Sequence, residues 1–164
     1  MAIGVLLNPN NPASESERIN VAAAAHTLGQ RVIFLNSSSE HDFDAAFARL
    51  VQERAGALLV TADALFYHGR DKLIGLAARH AVPTIYSNRD YVTAGGLMSY
   101  GASITEAYRQ VGVYTGRILK GEKPADLPVI QPTKVELVIN VRTAKVLGLT
   151  ISQSLLLRAD DVIQ

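Results

Sequence analysis

Between residues 3 and 86 short apolar runs alternate with longer stretches of helical period, and no other feature of the chain constrains its fold as tightly. Ile3 to Leu7, Arg31 to Leu35, Ala57 to Val60 and Val82 to Tyr86 read as strands, being short and rich in branched side chains. Ser14 to Leu28, Asp42 to Arg54 and Gly69 to His80 read as helices. Successive strand, helix and parallel strand make right-handed βαβ units, so the pattern predicts an α/β fold: a Rossmann-like parallel sheet with helices on both faces. In that architecture the ligand crevice lies outside the carboxyl ends of the strands.

Composition narrows the classes further. With 164 residues, 48% of them hydrophobic, the chain can bury a substantial core, as one domain or one and a fraction. A net charge of +1 with scattered Lys and Arg gives no reason to expect nucleic acid. Cys is absent, which excludes disulfides, thiolate metal ligands and a Cys nucleophile. No apolar run approaches the roughly 20 residues that span a bilayer. Met1 and Ala2 lead directly into a strand pattern, so no secretion signal is expected in this chain.

Each strand points at its own candidate residues. After the first come Asn8, Pro9, Asn10 and Asn11, then Ser14 at the start of a helix. Asn side chains offer donors and acceptors, and Ser14 is placed as an N-cap beside backbone N–H groups that suit a carboxylate. The same residues equally suit a turn and its cap. After the third strand, Asp63 is placed to pair with a ligand ammonium or to cap a helix; Phe66 is expected in the core, and Tyr67 is a candidate aromatic wall. After the fourth, Tyr86 is either an aromatic contact with a wet hydroxyl or ordinary packing, with Ser87 and Asn88 beside it.

Catalytic motifs are missing from the sequence: there is no GxSxG, GxxxxGK[ST], HExxH, or GxGxxG opening the first helix. His26 and His80 fall near helix C-termini, where a capping role suits them. Asp63 and His68 form the one acid and base pair close in sequence, without a nucleophile at defined spacing. A phosphorelay receiver has similar alternation, but here the first strand ends in Asn8 and no acidic residue follows until Glu15, which leaves Asp63 unable to assemble a magnesium site. No cofactor and no metal site are expected.

The second half has a different texture. Ser103 to Lys120 reads as a helix, with Ser103 as cap, Glu106 three residues later and Gly121 as stop. Its Ile104, Ala107, Tyr108, Val111, Tyr114 and Ile118 recur at helical spacing and demand a partner. Glu122 to Pro132 is a Pro-rich connection, Lys134 to Ile139 a strand, Asn140 to Leu147 a short helix, and Leu155 to Ile163 is expected to be the last helix.

NPNNP after the first strand, VTADALFYHGRDKLIGLAARHAVPTIY in the middle, GGLMSYG and the helix ending ILKGEKPADLP stand in an order that resembles the solute-binding proteins of ABC importers, specifically the TrpX-like family, of periplasmic-binding-protein-like (type I) fold. Members of that family are about twice as long and have two lobes. The resemblance therefore implies that residues 1–96 are a ligand-binding lobe and that 97–164 carry the interlobe crossing, a helix and return segments shared with an N-terminal lobe. It implies capture without chemistry of a small organic solute, an amino acid and in some members an aromatic one, and delivery to an ABC permease from the periplasm or from a lipoprotein anchor. The ligand-binding candidates are Asn8, Asn10, Asn11, Ser14, Asp63, Tyr86, Ser87 and Tyr100, with Ser99 and Tyr100 as hinge or cleft residues. Two other readings are a Rossmann-like enzyme using Asp63 and His68, and the effector-binding domain of a transcription regulator. Without a sheet to cover it, the Ser103–Lys120 helix predicts a homodimer with Tyr108, Val111, Tyr114 and Ile118 in the interface.

Overall fold

The structure, a computed structural model, describes residues 2–131 and 134–164; Met1 and Pro132, the ends of two expected segments, and Thr133 lie outside the described residues. Its elements follow the expected alternation: β1 (Ala2–Leu7), α1 (Ser14–Thr27), β2 (Arg31–Asn36), α2 (Asp42–Gln52), β3 (Ala55–Val60), α3 (Ala64–His68), α4 (Arg70–Arg79) and β4 (Thr84–Tyr86). There follow α5 (Arg89–Thr93), β5 (Met98–Ala102), α6 (Ile104–Leu119), a 3-10 turn at Pro124–Asp126, β6 (Val135–Asn140), α7 (Val141–Val146), α8 (Gln153–Leu156) and β7 (Asp161–Ile163). All seven strands form one sheet in the order β2-β1-β3-β4-β5-β6-β7. Every neighbouring pair is parallel except β5 with β6.

Burial follows residue parity along the strands, as the period of two requires. Leu6, Ile33, Leu35, Leu58, Val60 and Tyr86 point to one face. There they meet Phe43, Ala46, Phe47 and Leu50 of α2, spaced i, i+3, i+4 and i+7, together with Leu73 and Leu76 of α4. The Phe43 and Phe66 rings meet at 5.9 Å, and His80, which caps α4, stacks on Phe47 at 5.8 Å. Phe66 is thus a core residue. Val5 and Leu7 are buried on the opposite face of the strand, where Ala25 is the one buried residue of α1.

Several expectations for the second half need correction. Within residues 97–164, β5, β6 and β7 extend the sheet of residues 1–96. GGLMSYG is mostly strand: Met98–Ala102 is paired with β6 on one side, and its first two residues with β4 on the other. Ser99, proposed for the cleft, is buried inside the sheet. Gly101 lies so close to Ser87 that a Cβ would overlap the Ser87 carbonyl oxygen, which explains glycine at that point.

The expected Leu155–Ile163 helix is instead α8 and then a strand. Asp160 breaks it, since its N–H donates to the Leu137 carbonyl at 2.8 Å and its carboxylate accepts from the Leu137 N–H at 2.8 Å. Val162 and Ile163, both β-branched, are thereby laid beside β6.

The element that departs from the sheet is α6. It carries the same apolar spacing as α2, yet none of its residues is buried. Ser103 caps it as expected, accepting from the Glu106 N–H at 3.4 Å. Glu106 does not close the capping box; its carboxylate binds Arg109 and Gln110, which hold its pKa down to about 2.

Candidate functional site

The strand order reverses direction between β1 and β3, because α1 carries the chain from β1 to one side and α2 returns it to the other. At such a switch point the two outgoing turns diverge and leave a crevice at their carboxyl ends. Asn8 leaves β1 there, and Asp63 follows β3. Their side chains join across the gap: Asn8 Nδ2 donates to both Asp63 oxygens at 3.1 and 3.2 Å, and Asn11 Nδ2 donates to Oδ2 at 2.8 Å.

Asp63 also caps α3 by accepting from the Leu65 N–H at 2.8 Å, so the cap and the crevice carboxylate are one residue. The same economy holds for the asparagines. Asn8 Oδ1 accepts from the Asn10 N–H at 3.0 Å and Asn11 Oδ1 from the Ala13 N–H at 2.9 Å, folding the NPNNP turn while their amides are spent on Asp63.

Two open hollows lie along this edge. One, of about 430 Å³, has Asp63, Tyr67, Ser87, Asn88, Asp90 and Tyr108 among its lining residues. The other, of about 320 Å³, shares Ala62 and Ser87 with it and extends past Thr61, Ile85 and Tyr100 to Glu17 and Asn20 of α1. Burial raises the Glu17 carboxyl above its ordinary pKa; the Thr61 hydroxyl opposes this and the Asp63 charge reinforces it. Asn88 caps α5 by accepting from the Asp90 N–H at 3.1 Å, and Asp90 in turn accepts from the Tyr67 hydroxyl at 2.7 Å.

The structure brings Asn8, Asn11 and Asp63 together, and sets Ser87 and the exposed Tyr100 on the rim. Asn10 is exposed on the turn beside them. Two candidates sit differently from expectation. Ser14 is not the N-cap of α1; that position is Ala13, without a side-chain bond, and Ser14 is the first helical residue, its N–H donating to the Asn11 carbonyl at 3.0 Å.

Tyr86 does not keep its hydroxyl wet. It is 1% exposed, stacked on Tyr91 at 4.6 Å, and burial pushes its phenol far above the ordinary range. The cause is parity: Thr84 and Tyr86 share the core face of the strand, and it is Ile85 that faces the other way.

Tyr67, the candidate aromatic wall, lines the first hollow, and with it Asn88, Asp90, Ile104 and Tyr108, which are not among the expected binding residues. Asn88 and Asp90 carry a readable signal, an Asn followed two positions later by Asp at a strand exit, which is an Asx cap. His68 Nδ1 bonds the Ala64 carbonyl at 2.7 Å, an ordinary helix contact, while the Asp63 oxygens are taken by amides. That geometry offers an acid and base pair no support. Among the described residues no group of three or more His, Cys, Asp or Glu is placed to hold a metal ion, and no helix is long and apolar enough to cross a membrane.

A mostly parallel sheet with a polar, open crevice at its switch point is the architecture in which α/β proteins hold small ligands. The family model described as ABC transporter substrate binding protein matches residues 1–163, and the chain belongs to that family. A search of curated proteins gives no match.

Among solved structures, a conserved domain protein from Vibrio cholerae is 25% identical with a TM-score of 0.87, over 98% of this chain and 54% of that one. An ABC domain from Streptococcus pneumoniae in complex with L-Trp is 26% identical with a TM-score of 0.85, over 99% and 56%. A ligand-free, open substrate binding protein from Clostridium difficile, at 21% identity and a TM-score of 0.71 over 99% and 54%, shares the fold. The chain thus spans about half the length of the structures it matches.

Proposed function

We propose that this chain is one lobe of a two-lobed solute receptor of an ABC importer, which captures a small organic solute, an amino acid with an aromatic side chain as the leading candidate, and performs no chemistry on it. The observation that carries the reading is the Asn8–Asp63–Asn11 cluster that bridges the switch point, with open hollows on the same edge. Asp63 receives the solute ammonium; Asn8, Asn10, Asn11, Ser87 and Tyr100 line the approach. The L-Trp in the Streptococcus pneumoniae relative supports an amino-acid solute. A second lobe closes over this edge by hinge motion, and the closed form meets an ABC permease outside the cytoplasmic membrane, in the periplasm or on a lipid anchor.

Calorimetry against L-amino acids tests the reading. With one cleft wall present, affinity no tighter than about micromolar is expected, because small ligands need most of their surface buried to bind well. A nanomolar site in this chain by itself contradicts the two-lobe proposal; no saturable binding up to about millimolar contradicts solute capture.

A second copy of the chain is the proposed cover for α6, whose Val111 is 61% exposed and whose Ile118 is 40% exposed. Apolar surface of this extent is uncommon on a monomer, and exchange of a projecting helix is a low-cost route to a dimer. Light scattering at micromolar concentration is expected to report twice the chain mass, and Val111→Glu with Tyr114→Glu to abolish the assembly. A stable wild-type monomer removes this part of the proposal.

A further inference from the structure

The larger hollow is not walled by the α/β unit alone. Ile104 and Tyr108, from the first two turns of α6, line it together with Asp63, Tyr67, Ser87 and Asp90. This follows from topology: β5 runs parallel to β4 and so ends at the carboxyl edge of the sheet, and α6 starts two residues later, above the crevice. The two tyrosines differ in how they are held. Tyr67 is fixed by its hydroxyl bond to Asp90 at 2.7 Å, by the edge of Tyr91 at 6.2 Å and by the Arg70 guanidinium 5.1 Å from its ring centroid. Tyr108 has no hydrogen bond to a described residue and is 73% exposed. A fixed aromatic ring and a free one therefore line the same hollow.

His68 apart, the charged groups that line the hollow are of one sign. Asp63 and Asp90 are both carboxylates, whereas no Lys or Arg lines it among the described residues. Each Asp63 oxygen accepts from neutral amides, and Asp90 Oδ2 accepts from a phenol, so neither carboxylate there is neutralised by a cation. A hollow with aromatic side walls and an anionic floor is complementary to a flat apolar body carrying an ammonium group, and it repels a carboxylate.

We propose that Tyr108, with Ile104, is a specificity-determining residue of this site: the solute's ring lies between Tyr67 and Tyr108 with its ammonium toward Asp63 and Asp90, and this lobe does not read the solute's carboxylate. The inference rests on the solute-capture reading and deepens it. It also assigns Tyr108 to the solute, which leaves Val111, Tyr114 and Ile118 as the face for a second copy.

Tryptamine, indole-3-propionate, hexylamine and L-tryptophan separate the terms. The chain contains no Trp, so indole emission belongs to the probe alone, and hexylamine is followed by displacement of tryptamine. Tryptamine is expected to bind the full chain tighter than indole-3-propionate by about tenfold or more, for a carboxylate meets two like charges. Tyr108→Ala is expected to weaken tryptamine about tenfold and hexylamine about twofold, the difference being the aromatic contact. Tyr108→Phe, which keeps the ring, should stay within about twofold of wild type.

Because Tyr108 is exposed, loss of folding is not a competing explanation. If L-tryptophan binds but indole-3-propionate equals tryptamine, or Tyr108→Ala leaves tryptamine unchanged, the specificity proposal is overturned while capture stands. If none of the four probes binds, both fall together.

Discussion

Replacing Asp63 with alanine will weaken solute binding by about thirtyfold or more and lower the stability of the lobe at the same time. A carboxylate that meets a ligand ammonium away from bulk water contributes roughly 2–5 kcal/mol when its partner is lost, and the half-buried setting of Asp63 argues for the lower end, about thirtyfold. The stability loss has a separate origin. Asp63 caps α3 through the Leu65 N–H and gathers the amides of Asn8 and Asn11, so alanine removes a cap worth about 1 kcal/mol and strands two donors.

Asp63→Asn resolves the two effects. Its carbonyl oxygen still accepts, keeping much of the cap, but the charge is gone. Calorimetry of Asp63→Asn should show the affinity loss and thermal denaturation a smaller shift than Asp63→Ala; equal and full retention of affinity in both variants removes Asp63 from the site.

Gly101→Ala is expected to be the most damaging single methyl addition in the sheet. The new Cβ would overlap the carbonyl oxygen of Ser87, a backbone atom that cannot rotate away. β5 is paired to β6 at Gly101 itself and to β4 at its first two residues, so displacement there opens the ladder. Overpacking of a side chain costs typically 1–3 kcal/mol, and a backbone clash belongs at or above the top of that range, about 3 kcal/mol.

Gly112→Ala supplies the contrast. It lies on α6 with nothing within 4 Å of the added Cβ, and helix propensity alone predicts a gain of roughly 0.5–1 kcal/mol. Urea denaturation of the two variants should move in opposite directions, and similar midpoints for both would show that the β4–β5 approach is looser than described.

The alternation from Ile3 to Tyr86 was readable because its strands are short and branched and its helices long enough to show their period. The carboxyl-edge cluster followed from the turn residues alone, since Asn8, Asn11 and Asp63 sit at the exits of β1 and β3. What was not readable depended on pairing. β5 contains Gly101 and β7 has three residues, too few to show alternation, and each becomes a strand through the neighbour it meets.

Between the two readings open for Tyr86, the parity of Thr84 and Tyr86 with Leu58 and Val60 decides for packing in the core. Ser14 is not the cap because the turn that Asn11 closes on Ala13 and Ser14 already places Ala13 at that position, leaving Ser14 as the first helical residue. The place of α6 at the crevice was hidden for the same reason as β5: only the placement of β5 beside β4 brings Ile104 and Tyr108 to the hollow that Asp63 also lines.

The central claim is that the carboxyl edge of this sheet is a solute-binding wall, and amide chemical-shift mapping with L-tryptophan tests it most directly. Saturable shifts are predicted at Asn8, Asn11, Asp63, Tyr67, Ser87 and Tyr108, the residues that surround the switch point and its larger hollow. Shifts confined to the opposite edge, around Gly29, Arg54 and Ala81 where the chain turns back into β2, β3 and β4, would contradict it.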